Sequence, residues 1–324
     1  MMLHFCTLFD SVYLSKGLAL YNSLKKHCNS FHLYIFAFDD PCFDILTSLS
    51  LECVTVIALN EFEDEELLKV KPTRSRTEYC WTLTSSTILY VLNTYKVDHC
   101  IYLDADLYFF ASPQQIIDEM GDHSVLITPH NYSSKYDQSQ KSGFYCVQFM
   151  VFKNDKRGLI ALNWWRRACL DWCYNRIEEG KFGDQKYLDD WTERFAGVYV
   201  SDNFGAGVAP WNMQQYIFNE EEDAIFGIEI ATGKKFKVIF FHFHSFTFVT
   251  PSFFSPRPYY ERNKSAISLL FLPYRKEILK IRNRYPQVQK SEVYLTGFSK
   301  IKYFAELFIR RGLKEIGYIR LLHQ

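Results

Sequence analysis

The chain has 324 residues, 48% of them hydrophobic and 18% aromatic, which supplies one large core or two small ones and excludes a disordered polypeptide. Its 37 basic residues balance 37 acidic ones, so no global field marks it as a nucleic-acid binder. The first element is the apolar strand "LHFCTLF". "YLSKGLALYNSLKKHC" follows as a helix, with Leu14, Leu18, Tyr21 and Leu24 on one face. "FHLYIFAF" is the next strand, ending at Asp39-Asp40-Pro41, and "CVTVIAL" the one after. Strands alternating with helices imply crossover connections and a parallel sheet. "CWTLTSSTILYVLNTY" reads as a helix that feeds the strand "HCIYL". "SVLITP" and "FYCVQFMVF" are further strands.

"RGLIALNWWRRACLDWCYNRIEE" reads as one long amphipathic helix, with Leu162, Trp165, Cys169 and Trp172 as its buried stripe and Gly180 as its stop. "KVIFFHFHSF" closes the sheet region. From about Pro256 strands become scarce and helical periods return, so residues 1–255 are expected to form an α/β domain and 256–324 a C-terminal helical extension. Within it, "SKIKYFAELFIRRGLKEIGYIRLL" is basic and amphipathic, which suits either a membrane surface or a helix docked on the domain with a solvated basic face.

The nine cysteines include no Cys-x-x-Cys pair, and Cys6, Cys53, Cys100 and Cys146 sit in apolar stretches, so they read as reduced core thiols. "MMLHFCTLFDSVYL" has no basic region of the kind that opens a signal peptide, and no run of 18 apolar residues occurs. A cytoplasmic protein, with possible peripheral contact at the inner membrane face, is the expectation.

The unusual stretch is "IYLDADLYFF", which puts Asp104 and Asp106 inside an apolar run at the end of a strand. If the chain is still extended there, both carboxylates face one side. Two like charges so close repel, and burying either is costly unless it is paired. A hard divalent cation, Mn²⁺ or Mg²⁺, would relieve that repulsion and bind substrate phosphates as well. A solvated turn is the plain alternative. Placement at the carboxyl edge of an α/β sheet, where ligands bind, favours the metal.

This segment resembles the D-x-D motif of nucleotide-sugar glycosyltransferases of the GT-A fold, nearest to the retaining group that includes glycogenin and the bacterial lipopolysaccharide galactosyltransferases. Three other segments agree in order over roughly residues 3–250. "TLFDSVYLSKGLALYNSL" is similar to the first strand-to-helix segment, "GDQKYLDDW" to the Asp-Gln segment, and "IFFHFHSF" to the late His-Phe strand. The resemblance implies a Rossmann-like, mainly parallel sheet flanked by helices. It implies a metal held by Asp104, Asp106 and His242, with the reverse roles of His242 and His244 left open. The donor would be a nucleotide diphosphate sugar, with UDP expected, and the acceptor a hydroxyl of a glycan, lipid-linked or protein partner. Two places depart from the pattern. "YCVQFM" replaces an Asn-Ala/Ser-Gly segment, which puts Gln148 at a donor-contact position. "HFHSFTFVTP" lacks the usual Lys, so His244 or a basic residue elsewhere would neutralise the leaving diphosphate.

The remaining candidates each have two readings. Thr7, Asp10 and Tyr13 could frame a uracil, or Asp10 could cap the helix that follows. Arg74 and Arg76 suit a diphosphate, or lie in a solvated loop. Asp104 and Ala105 would also touch the donor. Asp184 and Gln185 would sit beside the donor sugar, where a carboxylate can stabilise an oxocarbenium-like centre; Asp184 as a helix cap is the alternative. "FGAGVAPWNM" has glycines that allow close approach, with Trp211 and Asn212 lining a sugar or simply making a turn. An inverting enzyme of the same fold, a nucleotidyltransferase and a non-catalytic nucleotide-sugar-binding protein are the alternatives to a retaining transferase. The absence of a glycine-rich basic phosphate loop from "TLFDSVYL" counts against the second of these, and intact Asp104, Asp106, Asp184 and His242 against the third.

Overall fold

The computed structural model describes residues 2–248, 254–255 and 260–290. Strand β1 (Leu3–Phe9) leads through a short turn into helix α1 (Leu14–His27), then β2 (Phe31–Ala37), α2 (Asp40–Leu49) and β3 (Val54–Ala58). The Arg76–Tyr95 helix returns the chain to β4 (His99–Leu103) at the centre of the sheet. After β5 (Leu107–Phe109) come β6 (Val125–Pro129), β7 (Tyr145–Lys153), the Lys156–Asp171 helix and β8 (Val198–Val200). The main sheet has the order β3-β2-β1-β4-β7-β6-β8. Neighbours are parallel except that β7 runs against β4 and β6.

Local chemistry explains where these elements begin. Asp39 accepts from Cys42 N at the start of α2, which also carries Pro41 in its first turn. Ser75 and Glu78 form a reciprocal capping box at the start of the Arg76–Tyr95 helix. Asp155 accepts from Gly158 N and starts the Lys156–Asp171 helix.

Alternation along the strands divides the apolar residues between two cores. Ile101 and Leu103 join one face with Leu18 of α1, while Cys100 and Tyr102 join the other with Leu83 and Trp165. Helices therefore cover both faces. The Leu272–Arg284 helix packs beside α1, with Tyr274 stacked on Phe243 at 3.7 Å between ring centres. All nine cysteines are free thiols, but Cys53 is exposed and Cys80 half-buried, so these two are not the core residues expected. Among the described residues no helix is long and apolar enough to cross a membrane.

Two expected elements change. The long helix ends at Asp171, and residues 172–179 are not its continuation. Its last carbonyls are taken by side chains from elsewhere: Tyr187 Oη donates to Ala168 O and Trp172 O, and Arg74 Nη2 to Leu170 O. Arg74 is thus a helix cap. After β9 (Ala206–Val208), strands β10 (Tyr216–Glu221), β11 (Ala224–Glu229) and β12 (Lys235–Lys237) form a small antiparallel sheet, and the late apolar run contributes β13 (Phe240–His242) to another, between β5 and β9, and not to the main sheet. The basic stretch at 299–322 lies outside the described residues.

Trp165 is fully buried and its indole Nε1 donates to Asp184 O at 2.9 Å. Trp165→Ala should lower stability by about 3–5 kcal/mol, measured by urea denaturation, while Trp165→Phe should lose much less.

Candidate metal and donor site

β4 ends at Leu103, and the chain then turns. Leu107 N donates to Asp104 O at 3.1 Å, so Asp104, Ala105 and Asp106 form a turn, the alternative to a continued strand, and Asp106 in it is buried. Asp104 N donates to Gln148 O at 2.9 Å, which anchors the turn to β7. β5 then pairs antiparallel with β13, with His242 opposite Leu107, and Phe243 N donates to Asp106 O at 2.9 Å. That register delivers the imidazole to the acidic turn. His242 Nε2 lies 3.0 Å from Asp106 Oδ1 and 3.7 Å from Asp104 Oδ2. One ligand atom from each of Asp104, Asp106 and His242 falls within 4.8 Å of the others.

The electrostatics are tightly balanced. Burial raises the Asp104 carboxyl to about 6, with His242 pulling it down and Asp106 pushing it up. Burial would raise Asp106 too, but the charge and hydrogen bond of His242, followed by Lys16 and His244, hold it well below the usual carboxylate range. Burial opposes a charge on His242, yet Asp106 above all keeps it well above an ordinary imidazole. Asp184 is pushed up to about 7, by burial and then by the charge of Asp104. Its position follows from Gly183, whose φ of +55° turns the chain over the Trp81 ring, and from the Trp165 indole on its carbonyl. Gln185 follows, its carbonyl accepting from Leu188 N at the start of a 3-10 turn.

The other candidates divide. Asp10 caps the turn after β1, accepting from Val12 N and Tyr13 N, and also accepts from Arg76 Nε at 3.0 Å. Arg76 Nη2 reaches Asp39 Oδ2 at 2.6 Å. Arg76 therefore already holds two carboxylates. Tyr13 is partly exposed, with Lys16 Nζ 3.8 Å from its ring centre; burial and then Asp106 push its hydroxyl up. Trp211 packs edge-on against His242 at 5.3 Å and His244 at 5.7 Å, its Nε1 donating to His130 O. Asn212 is buried, donating to His130 O and Gly207 O and accepting from Ala209 N, so it ties the loop together. Thr7 is fully buried. Gln148 is fully buried as well, its Oε1 2.8 Å from His242 Nδ1.

Two neighbours were not singled out from the sequence. Lys16 stands in the first turn of α1, where its place beside the strand-to-helix turn was the available signal. His130 directly follows the predicted strand "SVLITP", which places it at the strand's carboxyl end. It is buried, stacked on Tyr132 at 4.5 Å and edge-on to Trp211 at 5.4 Å.

No protein-family model matches the chain. It is similar to two proteins of Bacillus subtilis (strain 168) described as uncharacterized. YfnD is 31% identical over 293 residues, 89% of this chain and 91% of YfnD. YfnF is 32% identical over 254 residues, 76% of this chain and 82% of YfnF. Among solved structures it is similar to the glycosyltransferase GlyE of Streptococcus pneumoniae TIGR4, with a TM-score of 0.50 and 11% identity, over 89% of this chain and 64% of that one. The fold is therefore that of a GT-A glycosyltransferase.

Burial lowers His130 to about 3, so it is neutral when folded and takes a proton near 6.5 only when unfolded. The stability this provides is complete above about pH 6.5 and is lost as pH falls toward 3. Between pH 6.5 and 5 the wild type should lose up to about 2 kcal/mol more than His130→Phe, read from urea midpoints at each pH.

Proposed function

The chain belongs to the family of YfnD and YfnF, and on that premise, with its fold, we propose that it is a metal-dependent glycosyltransferase. It would move a sugar from a nucleotide diphosphate, UDP in our reading, to an acceptor hydroxyl. The observation that carries the proposal is the Asp104–Asp106–His242 cluster at the carboxyl edge of the central strand. Two carboxylates and one imidazole fit Mn²⁺ or Mg²⁺, and a cation would offset the mutual repulsion of the gathered carboxylates. When bound, the ion would offset the negative charge of the donor diphosphate.

The roles of the side chains follow from their places. Asp104, Asp106 and His242 would hold the ion. Asp184, beside Asp104 and held by the Trp165 indole, would face positive charge developing at the anomeric carbon. Lys16, close enough to help hold down Asp106, is the cation we assign to the leaving diphosphate. Tyr13 and the Asp10–Arg76 pair would border the base. The likeness in sequence motifs supports retention of configuration. The division at residue 255 and a membrane contact through the basic C-terminal stretch belong to the same proposal.

Two experiments test it. UDP binding measured by calorimetry in Mn²⁺ should weaken at least tenfold, about 1.4 kcal/mol, in His242→Ala, and change little in EDTA. Equal losses in both conditions would make His242 a structural residue only. For the transfer step, Asp184→Asn should lower kcat by on the order of a hundredfold with donor affinity nearly unchanged. NMR of the first-formed product should show the donor's anomer; an inverted product would overturn the stereochemical reading.

A further inference from the structure

Gln148 lies in the middle of β7, fully buried, and a buried amide is costly unless its polar atoms are bonded. Its bonds run in one direction. Thr128 Oγ1 donates to Cys146 O at 3.5 Å, so its lone pairs face the amide, and Gln148 Nε2 donates to it at 3.4 Å. That leaves Oε1 turned to His242 Nδ1 at 2.8 Å. Oε1 only accepts, so Nδ1 must carry the proton. The other ring nitrogen, Nε2, is then the one turned to Asp106 and Asp104. The same residue's backbone carbonyl accepts from Asp104 N. Gln148 thus grips both the acidic turn and the histidine, which comes from a strand 94 positions away. Gly207 makes room for it: a Cβ there would stand 3.2 Å from Gln148 Nε2.

We propose that Gln148 is the positioning residue of the metal site. By accepting a hydrogen bond from His242 Nδ1–H it fixes the ring and commits Nε2 to the ion, and so sets the affinity of the cluster for a divalent cation. The inference rests on the reading of Asp104, Asp106 and His242 as metal ligands.

Mn²⁺ alone, without nucleotide, is titrated into the full chain and free Mn²⁺ is read by electron paramagnetic resonance. Gln148→Met keeps the volume and removes the acceptor; it should bind Mn²⁺ about 10–100-fold more weakly than wild type. Gln148→Glu restores an acceptor at the same reach and should recover affinity to within a few-fold. Metal-free circular dichroism and urea midpoints confirm that each variant is folded. Wild-type affinity in Gln148→Met, or equal losses in the Met and Glu variants, would overturn the proposal. Should Gln148→Met not fold, Thr128→Val decides, since freeing the amide to rotate should weaken Mn²⁺ a few-fold and an unchanged affinity would count against it. The two readings separate in a further arm. If wild type binds Mn²⁺ no better than His242→Ala, the ligand assignment itself falls, and the role of Gln148 with it.

Discussion

The site depends on one pairing, the short antiparallel ladder between β5 and β13. Leu107 opposes His242, and Phe243 N closes onto Asp106 O just beyond the ladder. A slip of one residue would turn the imidazole to the opposite face, because side chains alternate along a strand. The aromatic packing resists that slip. Phe241 lies against Phe271, and Phe243 against Tyr274, so each neighbour of His242 has its own place to fill. The apolar residues around the histidine set its register, and the register places its nitrogen.

The second constraint is electrostatic. Asp104 and Asp106 face one imidazole and Asp184 stands beside Asp104; Asp106, at 3.0 Å from His242, is held down, while burial pushes Asp104 and Asp184 upward. A buried cluster short of positive charge is a poor way to stabilise a fold. The surrounding bonds show how it is tolerated. The Trp165 indole holds the Asp184 carbonyl, Gln148 holds the Asp104 amide, and backbone conformation does the rest at Gly183. The scaffold fixes the acids from behind while leaving their charges in conflict.

Much of this was readable from residue patterns. The first three strands, α1 and the helix leading to β4 follow from apolar periodicity, and the acidic pair was found because carboxylates interrupt an apolar run. The pairing of Asp104 with His242 came from motif likeness, since no local rule links them. What escaped was whatever depended on distant partners. The Lys156–Asp171 helix stops where Tyr187 and Arg74 take its last carbonyls, although the apolar stripe runs on to Trp172. Arg76 looked available for phosphate, yet Asp10 and Asp39 converge on it from two separate loops. The D-x-D segment turns because β7 and β13 hold it on both sides, and neither contact is encoded within the segment.

The late arrival of β13 also bears on how the protein is made. Synthesis proceeds from the N-terminus, while a domain generally folds as a unit. β1 to β4 and the acidic turn emerge early, but until Phe240–His242 docks, β5 offers an unpaired edge and the carboxylates lack their imidazole. An open edge beside exposed Phe residues is a template for misassociation between nascent chains. A chain interrupted before Phe240 would carry the acids and the sheet without any means of reconciling them, so occupancy by a divalent ion would report that translation had passed β13 and that its strand had docked.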